Sequence, residues 1–316
     1  MKTILVVEYS QTGQLTAVLD ALLAPLQQPD GATRVHREVL RPVPAYPYPW
    51  PFWQFLDAFP ETVAGNPPPL TPLTVDSGSA FDLIVIGYPV WFLSPPPPIT
   101  AFLRSAAGRR LVCGRPVVTV TACRNMWLMA QEQMKQLLAE AGARHCDHVA
   151  LVDQGNAFAT FVTTPRWLLT GRKGAFWGFP PAGVPTAEIA ACRRFGLALR
   201  EALQRDAEQQ PGPMLGGLRA CTVDPRLIAS EKIGRRSFRF WARVLRWAGR
   251  PGTFLRRTLL AFYLVFLLSL IITVVPLSVL LKAALRPLLQ RWLNTLQASF
   301  ERPSGSATSR MACFHE

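Results

Sequence analysis

Residues Ile4 to Thr16 constrain this chain more than any other stretch. An apolar run, Ile4-Leu5-Val6-Val7, stops abruptly at Ser10, Thr12 and Gly13. Apolar residues then recur at Leu15, Val18, Leu19, Leu22 and Leu23, the i, i+3/i+4, i+7 spacing of an amphipathic helix. A buried strand that feeds a hydroxyl-rich turn at a helix N-terminus leaves unpaired N–H groups pointing out of the turn. The helix dipole favours an anion there, and glycine allows close approach of the backbone. Ser10, Thr12 and Thr16 add hydroxyl donors, so the expected ligand group is a phosphate. The spacing is neither G-x-G-x-x-G nor G-x-x-x-x-G-K-[ST], which disfavours a dinucleotide loop and a P-loop. An ordinary strand–turn–helix would look the same over this stretch alone; the downstream pattern decides.

Strand and helix signals alternate through residues 1–155, the pattern of an α/β domain with a mainly parallel sheet. Further strands are expected over 34–40, 81–87, 116–122 and 149–153, with helices over 98–106 and 125–141. In such a sheet, ligands sit at the carboxyl ends of the strands, near a topological switch point. The third strand runs into Gly87-Tyr-Pro-Val-Trp-Phe-Leu-Ser-Pro-Pro-Pro-Pro98. Its prolines fix φ and stiffen the loop, and the last can open a helix without losing a needed donor. Pro89, Val90, Trp91 and Phe92 then stand on a rigid loop where a flat aromatic cofactor could stack. The fourth strand runs into Ala122-Cys-Arg-Asn-Met-Trp127. There Arg124 and Asn125 can address the polar edge of a ring and Trp127 can pack beside it.

Arg41–Phe55 alternates proline with aromatics, which gives a stiff extended path. It is either an apolar wall for a greasy substrate or a loop packing its own aromatics on the sheet. Residues 52–59 read as a short helix and 66–72 as a linker. The connection 154–185 is too long for a simple turn and carries Arg166, Trp167, Arg172, Lys173, Phe176 and Trp177, as a lid or a lipid-resting loop would. Thr186 is expected to cap a last helix of the α/β domain, which ends by 208. Residues 209–225, rich in proline and glycine, read as a linker.

The net charge is +14, a balance that points to nucleic acid or an anionic membrane. Its placement chooses between them. Ten basic residues and one acid, Glu231, lie between Arg226 and Arg257. Arg235, Arg239, Arg243, Arg246 and Arg250 share one helical face, with Phe240, Trp241, Val244, Leu245 and Trp247 mostly opposite. Residues 226–257 thus read as a basic amphipathic helix at a membrane interface. Thr258 to Leu281 then carries no charge at all and, at ~1.5 Å per residue, matches a ~30 Å hydrocarbon core. Pro276 allows either a kinked span or a re-entrant hairpin. The heavier basic flank precedes this segment, which keeps residues 1–257 cytoplasmic; nucleic acid is disfavoured. Residues 282–316 read as an interfacial helix (285–300) followed by a loose tail. The six cysteines show no C-x-x-C and no zinc spacing, so neither a metal nor a disulfide framework is expected. His145 and His148 precede the fifth strand and read as structural.

The stretch Ser10-Gln11-Thr12-Gly13-Gln14-Leu15-Thr16 resembles the phosphate loop of flavodoxin-like proteins, which takes the single phosphate of FMN. The Pro89–Phe92 loop and its following prolines resemble the loop that lies against the isoalloxazine ring in NAD(P)H:quinone-reductase-type flavodoxin folds. The Ala122–Trp127 loop matches the third flavin loop of the same group. The likeness implies a flavodoxin-like five-stranded parallel sheet with helices on both faces, plus a C-terminal helical, membrane-associated tail. It implies FMN held by residues 10–15, 89–92 and 122–127, with the chemistry carried by the cofactor and no separate acid or base assigned.

Over most of the chain, including Tyr9–Thr16, Pro47–Trp53 and Cys123–Trp127, the layout is similar to the dialkylresorcinol condensing enzyme family. That family sits with ketosynthases that build resorcinol lipids. Condensation itself needs an activated cysteine with acid/base partners, which these motifs do not offer. The resemblance instead implies a membrane-attached FMN oxidoreductase on the cytoplasmic face of the inner membrane, aromatising a cyclohexanedione-type lipid precursor, with a ketosynthase as a partner. The quinone-reductase likeness implies NAD(P)H as second cofactor, a quinone substrate and a homodimer by analogy. A membrane-docked electron-transfer flavodoxin is the third reading.

Overall fold

A computed structural model describes residues 1–29, 31–153 and 155–314, with the backbone alone for 157–158 and 274–292. The elements are β1 (Lys2–Glu8), α1 (Gln14–Leu23), β2 (Thr33–Val39), α2 (Phe52–Ala64), β3 (Leu83–Pro89), α3 (Pro97–Arg104), α4 (Ala106–Val112), β4 (Pro116–Cys123), α5 (Leu128–Glu140), β5 (Arg144–Val152), α6 (Ala157–Thr170), α7 (Thr186–Ala190), α8 (Arg193–Gln204), α9 (Pro225–Trp247) and α10 (Phe254–Glu301). The five strands form one sheet in the order β2-β1-β3-β4-β5, and every pairing is parallel. That order is flavodoxin-like, with the switch point between β1 and β3.

The strands are nearly continuous apolar runs because both faces are covered. Successive side chains alternate across the sheet. Ile4 and Val6 pack with α1 and α8, while Leu5 and Val7 pack with α3, α4 and α5. Gly196 lets α8 press onto α1, since a Cβ there would stand 1.9 Å from the Leu22 carbonyl oxygen.

The proline- and glycine-rich segment 209–225 is packed rather than a linker. Met214, Leu215, Leu218 and Ala220 belong to the sheet core. The Met214 and Leu215 amides donate to buried Asp147 at 2.8 and 3.1 Å. The Ala150 amide donates to the Ala220 carbonyl at 2.9 Å, so this segment lies along β5. The stretch after α10 is docked rather than loose. Its Arg219–Ala307 and Cys221–Gly305 backbone bonds pair it with that same segment, and the Ser304 hydroxyl donates to Asp147 at 2.7 Å.

The helix expected over 226–257 stops at Trp247, and α10 begins at Phe254. One side of α9 packs on α2 and the start of α10 through Ala242, Leu245, Phe59, Leu260 and Tyr263. At the junction, Arg256 is 1% exposed and bonds Asp57 Oδ1 and Glu61 Oε1, each at 3.0 Å. Phe254–Thr273 is long and apolar enough to cross a membrane and is mostly not covered by protein. Pro276 and Lys282, which bear on how the apolar run ends, lie outside the described side chains.

Candidate functional site

Three loops leave the carboxyl ends of β1, β3 and β4, which are neighbours or next-neighbours in the sheet. Adjacent strands are ~4.8 Å apart, so the loops span a ledge about the width of a fused aromatic ring system.

The first loop is Tyr9–Gly13. Gly13 sits at φ 78°, and a Cβ there would meet nothing within 4 Å, so the turn faces open space. Ser10 Oγ accepts from the Thr16 amide at 3.4 Å, and Thr12 Oγ1 lies 3.5 Å from the Gln14 amide. Among the described residues, the amides of Gln11, Thr12, Gly13 and Leu15 have no acceptor. The Leu15 side chain is in the core, so only its backbone serves the turn. Gln14 Oε1 accepts the Val184 amide at 2.8 Å and ties the turn to the segment after α6. The Thr16 hydroxyl is taken by Glu8 at 3.2 Å, whose other oxygen accepts from Arg37 Nε at 2.8 Å.

In the second loop, Trp91 and Ser94 exchange both backbone bonds at 2.9 Å around Phe92 and Leu93, at φ 49° and 58°. This is the geometry of a type I′ turn, in which glycine or asparagine is the usual occupant. Two large side chains held left-handed cost roughly 1–2 kcal/mol each, so the surroundings must enforce the turn. Arg235 of α9 does so by bonding the Leu93 carbonyl at 3.3 Å and Ser94 Oγ. The turn sends the two aromatics apart. Trp91 meets Tyr9, Tyr46 and Trp50 edge-on, with centroids 5.1–5.7 Å away. Phe92 instead joins Phe55 and Phe59, and Phe59 stacks on Tyr263 of α10 at 5.1 Å. Pro89 and Val90 are half-buried at the strand end.

The third loop, Cys123–Trp127, is held from below. The Glu231 carboxylate of α9 accepts the Met129 amide at 3.0 Å at the start of α5. Burial pushes that carboxyl up to about 8, against the lowering effect of the amides it faces. Trp127 is buried against His148, with centroids 5.1 Å apart, and points into the cluster with Ile228 and Phe300. Ala122 is in the sheet core, Cys123 is half-buried with its thiol raised by burial, and Met126 is half-buried. Arg124 Nε donates to Thr160 Oγ1 at 2.8 Å, and its guanidinium lies 3.7 Å over the Phe161 ring. Burial lowers Arg124 to about 10, which leaves it cationic at neutral pH. His145 and His148 both lie within hydrogen-bond distance of Thr119 beneath the sheet surface, and burial drives both toward the neutral form. They have no access to the loops' open side.

Among the described residues of the three loops, two buried polar atoms lack a partner, Gln11 Oε1 in the first and Asn125 Oδ1 in the third; Glu231 Oε1, below the third loop, lacks one as well. A buried, unbonded amide oxygen costs ~1–3 kcal/mol, so it marks a place where a donor is expected to arrive. FMN fits this set. Its phosphate would take the free amides of residues 11–13 and 15, and its ring N–H would suit an amide oxygen.

Sequence reasoning missed three parts of the site. Helix α6 occupies the first half of the connection expected as a loop. Asn156 Oδ1 caps it by accepting the Ala159 amide at 2.7 Å, and the Trp50 amide donates to the Leu168 carbonyl at 2.9 Å, joining α6 to the proline–aromatic segment. Asp153 accepts the Gly155 and Gly183 amides and closes the base of that cover. The α9 pair Glu231 and Arg235, one helical turn apart, holds the second and third loops from outside the α/β domain. No motif marks such a pair.

No protein-family model and no curated protein matches the chain. Among solved structures, it is similar to a flavoprotein in complex with FMN from Lactobacillus acidophilus NCFM at 16% identity, covering 48% of this chain and 93% of that one, with a TM-score of 0.39. It is similar to a flavodoxin from the domain Archaea at 11% identity, covering 64% and 99%, with a TM-score of 0.35. The general stress protein 14 of Treponema denticola in complex with FMN matches at 12% identity, covering 64% and 99%, with a TM-score of 0.32. Likeness this distant carries nothing about ligand or reaction. The strand order stands on its own. The fold is flavodoxin-like. None of these matches bears on the dialkylresorcinol resemblance.

Proposed function

We propose that the protein is an FMN-dependent oxidoreductase that works at an anionic membrane surface on a lipid-like substrate. The observation that carries the flavin reading is the pairing of unbonded loop amides after β1 with the buried, unpartnered oxygens of Gln11 and Asn125. When bound, FMN supplies a two-electron acceptor. The chain's own residues do the rest. Ser10 to Leu15 would hold the phosphate, Asn125 would accept from the ring edge, and Arg124, cationic at neutral pH, would supply a positive charge to the same loop. Trp91, Tyr46 and Trp50 form an apolar wall that keeps water off and suits an alkylated ring.

The substrate class we propose is a cyclohexanedione-type lipid, whose aromatisation to a resorcinol removes two electrons and two protons. The wall of aromatic rings at 41–55 and the exposed apolar helix beyond it both suit a molecule with long alkyl chains.

The test is the visible spectrum of the detergent-purified full chain, with the released cofactor identified. Stoichiometric FMN is expected, and its yellow colour should bleach anaerobically on addition of a long-chain cyclohexane-1,3-dione. A colourless protein that takes up no FMN would end the flavin reading. Bleaching by NAD(P)H and not by the dione would replace the lipid aromatisation reading with a quinone reductase.

A further inference from the structure

The two ends of α10 are docked at the two ends of α9. The first arm meets the C-terminal half of α9, where Trp241 packs on Tyr263 with centroids 4.9 Å apart. The second arm meets its N-terminal half, where Phe300 and Leu296 pack with Ile228 and Lys232 lies over the Phe300 ring. Residues 228 and 241 of a helix are ~20 Å apart along its axis, and packed helices add at most ~10 Å at each contact. Residues 263 and 300 are therefore within about 40 Å of each other. A straight helix would separate them by ~55 Å. The arms cannot be collinear, so the apolar chain that leaves the body at the first arm comes back to it at the second.

The return is anchored well. The Val223 amide donates to Glu301 at 3.3 Å, and Ser304 joins buried Asp147 and the His148 amide, both at 2.7 Å. A segment that crossed a membrane once would leave these contacts on the wrong side. Between Leu267, packed in the first arm, and Leu296, packed in the second, α10 has 28 residues, which as helix going out and back reach at most ~21 Å, short of a ~30 Å hydrocarbon core.

The surface around the arms matches one occupant. Ile233, Phe240 and Trp247 form an exposed ridge along α9, and Phe254, Phe262 and Ile272 continue it on α10. Beside the ridge, Arg239 and Arg243 of α9 line a cleft of about 350 Å³, opposed by Glu140, with Arg235, Arg246 and Arg104 at its wall already bonded to Ser94, Glu61 and the Gly65 carbonyl. Apolar side chains next to a row of cations suit acyl chains beneath anionic headgroups.

We infer that α10 enters one leaflet of an anionic bilayer and returns through the face it entered, so that the protein is monotopic. Its C-terminal segment then lies on the same side of the membrane as the α/β domain. This rests on the membrane part of the proposed function and is independent of the flavin.

Two exposed cysteines test it in the wild-type chain: Cys113 on the α/β domain and Cys313 beyond α10. The full chain is inserted into preformed vesicles of phosphatidylethanolamine and phosphatidylglycerol. The floated fraction is treated with a membrane-impermeant maleimide before and after permeabilisation, and labelled peptides are read by mass spectrometry. Both cysteines should label fully before permeabilisation, with no gain after it. Cys313 labelled only after permeabilisation, with Cys113 already labelled, would overturn the monotopic inference and leave the membrane reading intact. Failure to float, with a stable dimer in detergent-free solution, would overturn both and assign the apolar ridge to a second copy.

Discussion

Glu231 accepts the Met129 amide hydrogen at 3.0 Å from a helix 102 residues further along the chain, and is itself fully buried. The carboxyl thereby caps α5 just below the third loop. Its pKa is raised from 4.5 to about 8 by burial. Between those values the folded protein holds a proton that the unfolded chain has lost, so stability falls as pH rises through the window and is fully present below it. At the lower end other groups intervene. Asp147, raised to about 6 by burial, adds to the fall, while His145, lowered to about 4 by burial, opposes it. Above about 6.5, the unfolded value of histidine, Glu231 stands clear of both. The melting temperature of the wild type should drop from there to about pH 8, and Glu231→Gln should flatten that part of the curve, read by tryptophan fluorescence.

Arg256 holds the junction of the C-terminal helices to α2. Its buried guanidinium also bonds the Asp57 carbonyl at 2.9 Å and the Gly249 carbonyl at 3.2 Å. Removing it leaves two carboxylates facing a vacated, low-dielectric site. Arg256→Ala should cost about 3–5 kcal/mol, and lysine should restore little because it cannot reproduce the fork. Thermal unfolding in detergent measures both.

Gly13→Ala places a methyl group in the open mouth of the first loop. With no protein atom within 4 Å of the new Cβ, the stability cost is the left-handed backbone alone, about 1–2 kcal/mol. FMN content should fall further than that strain accounts for, by more than about tenfold in affinity. Flavin retention after gel filtration separates the two effects.

Ser304→Ala removes one donor to Asp147 and the acceptor for the His148 amide. The expected loss is about 1–3 kcal/mol of local stability. Protease cleavage between residues 301 and 314 should become faster while the α/β core stays resistant. An unchanged cleavage rate would mean that the Arg219–Ala307 and Cys221–Gly305 pairing suffices.

The sheet was legible because each strand is an apolar run closed by turn residues, and buried parallel strands need both faces apolar. Its β5 extends back to Arg144, over a polar stretch that conceals it: Asp147 is buried only because residues far along the chain satisfy it. Helix α6 was not legible, since Thr160, Thr163, Thr164 and Pro165 argue against a helix locally and packing on the proline–aromatic segment overrides them. Composition made 209–225 a linker, yet its amides answer the Asp147 carboxylate, a match that spacing does not reveal. The loops themselves were legible by position. Which aromatic points where was not: the left-handed pair Phe92 and Leu93 turns one ring toward the ledge and the next toward α10.

Glu231 and Arg235 give the order of synthesis a meaning. The three loops leave the ribosome early, but two of them lack their clamps until the last third of the chain has emerged. On the proposed flavin reading, cofactor capture then waits until α9 has docked on the α/β domain. A chain cut short before α9 would then keep its sheet but leave two of its three loops unclamped, so that cofactor loading reports completion of the whole chain.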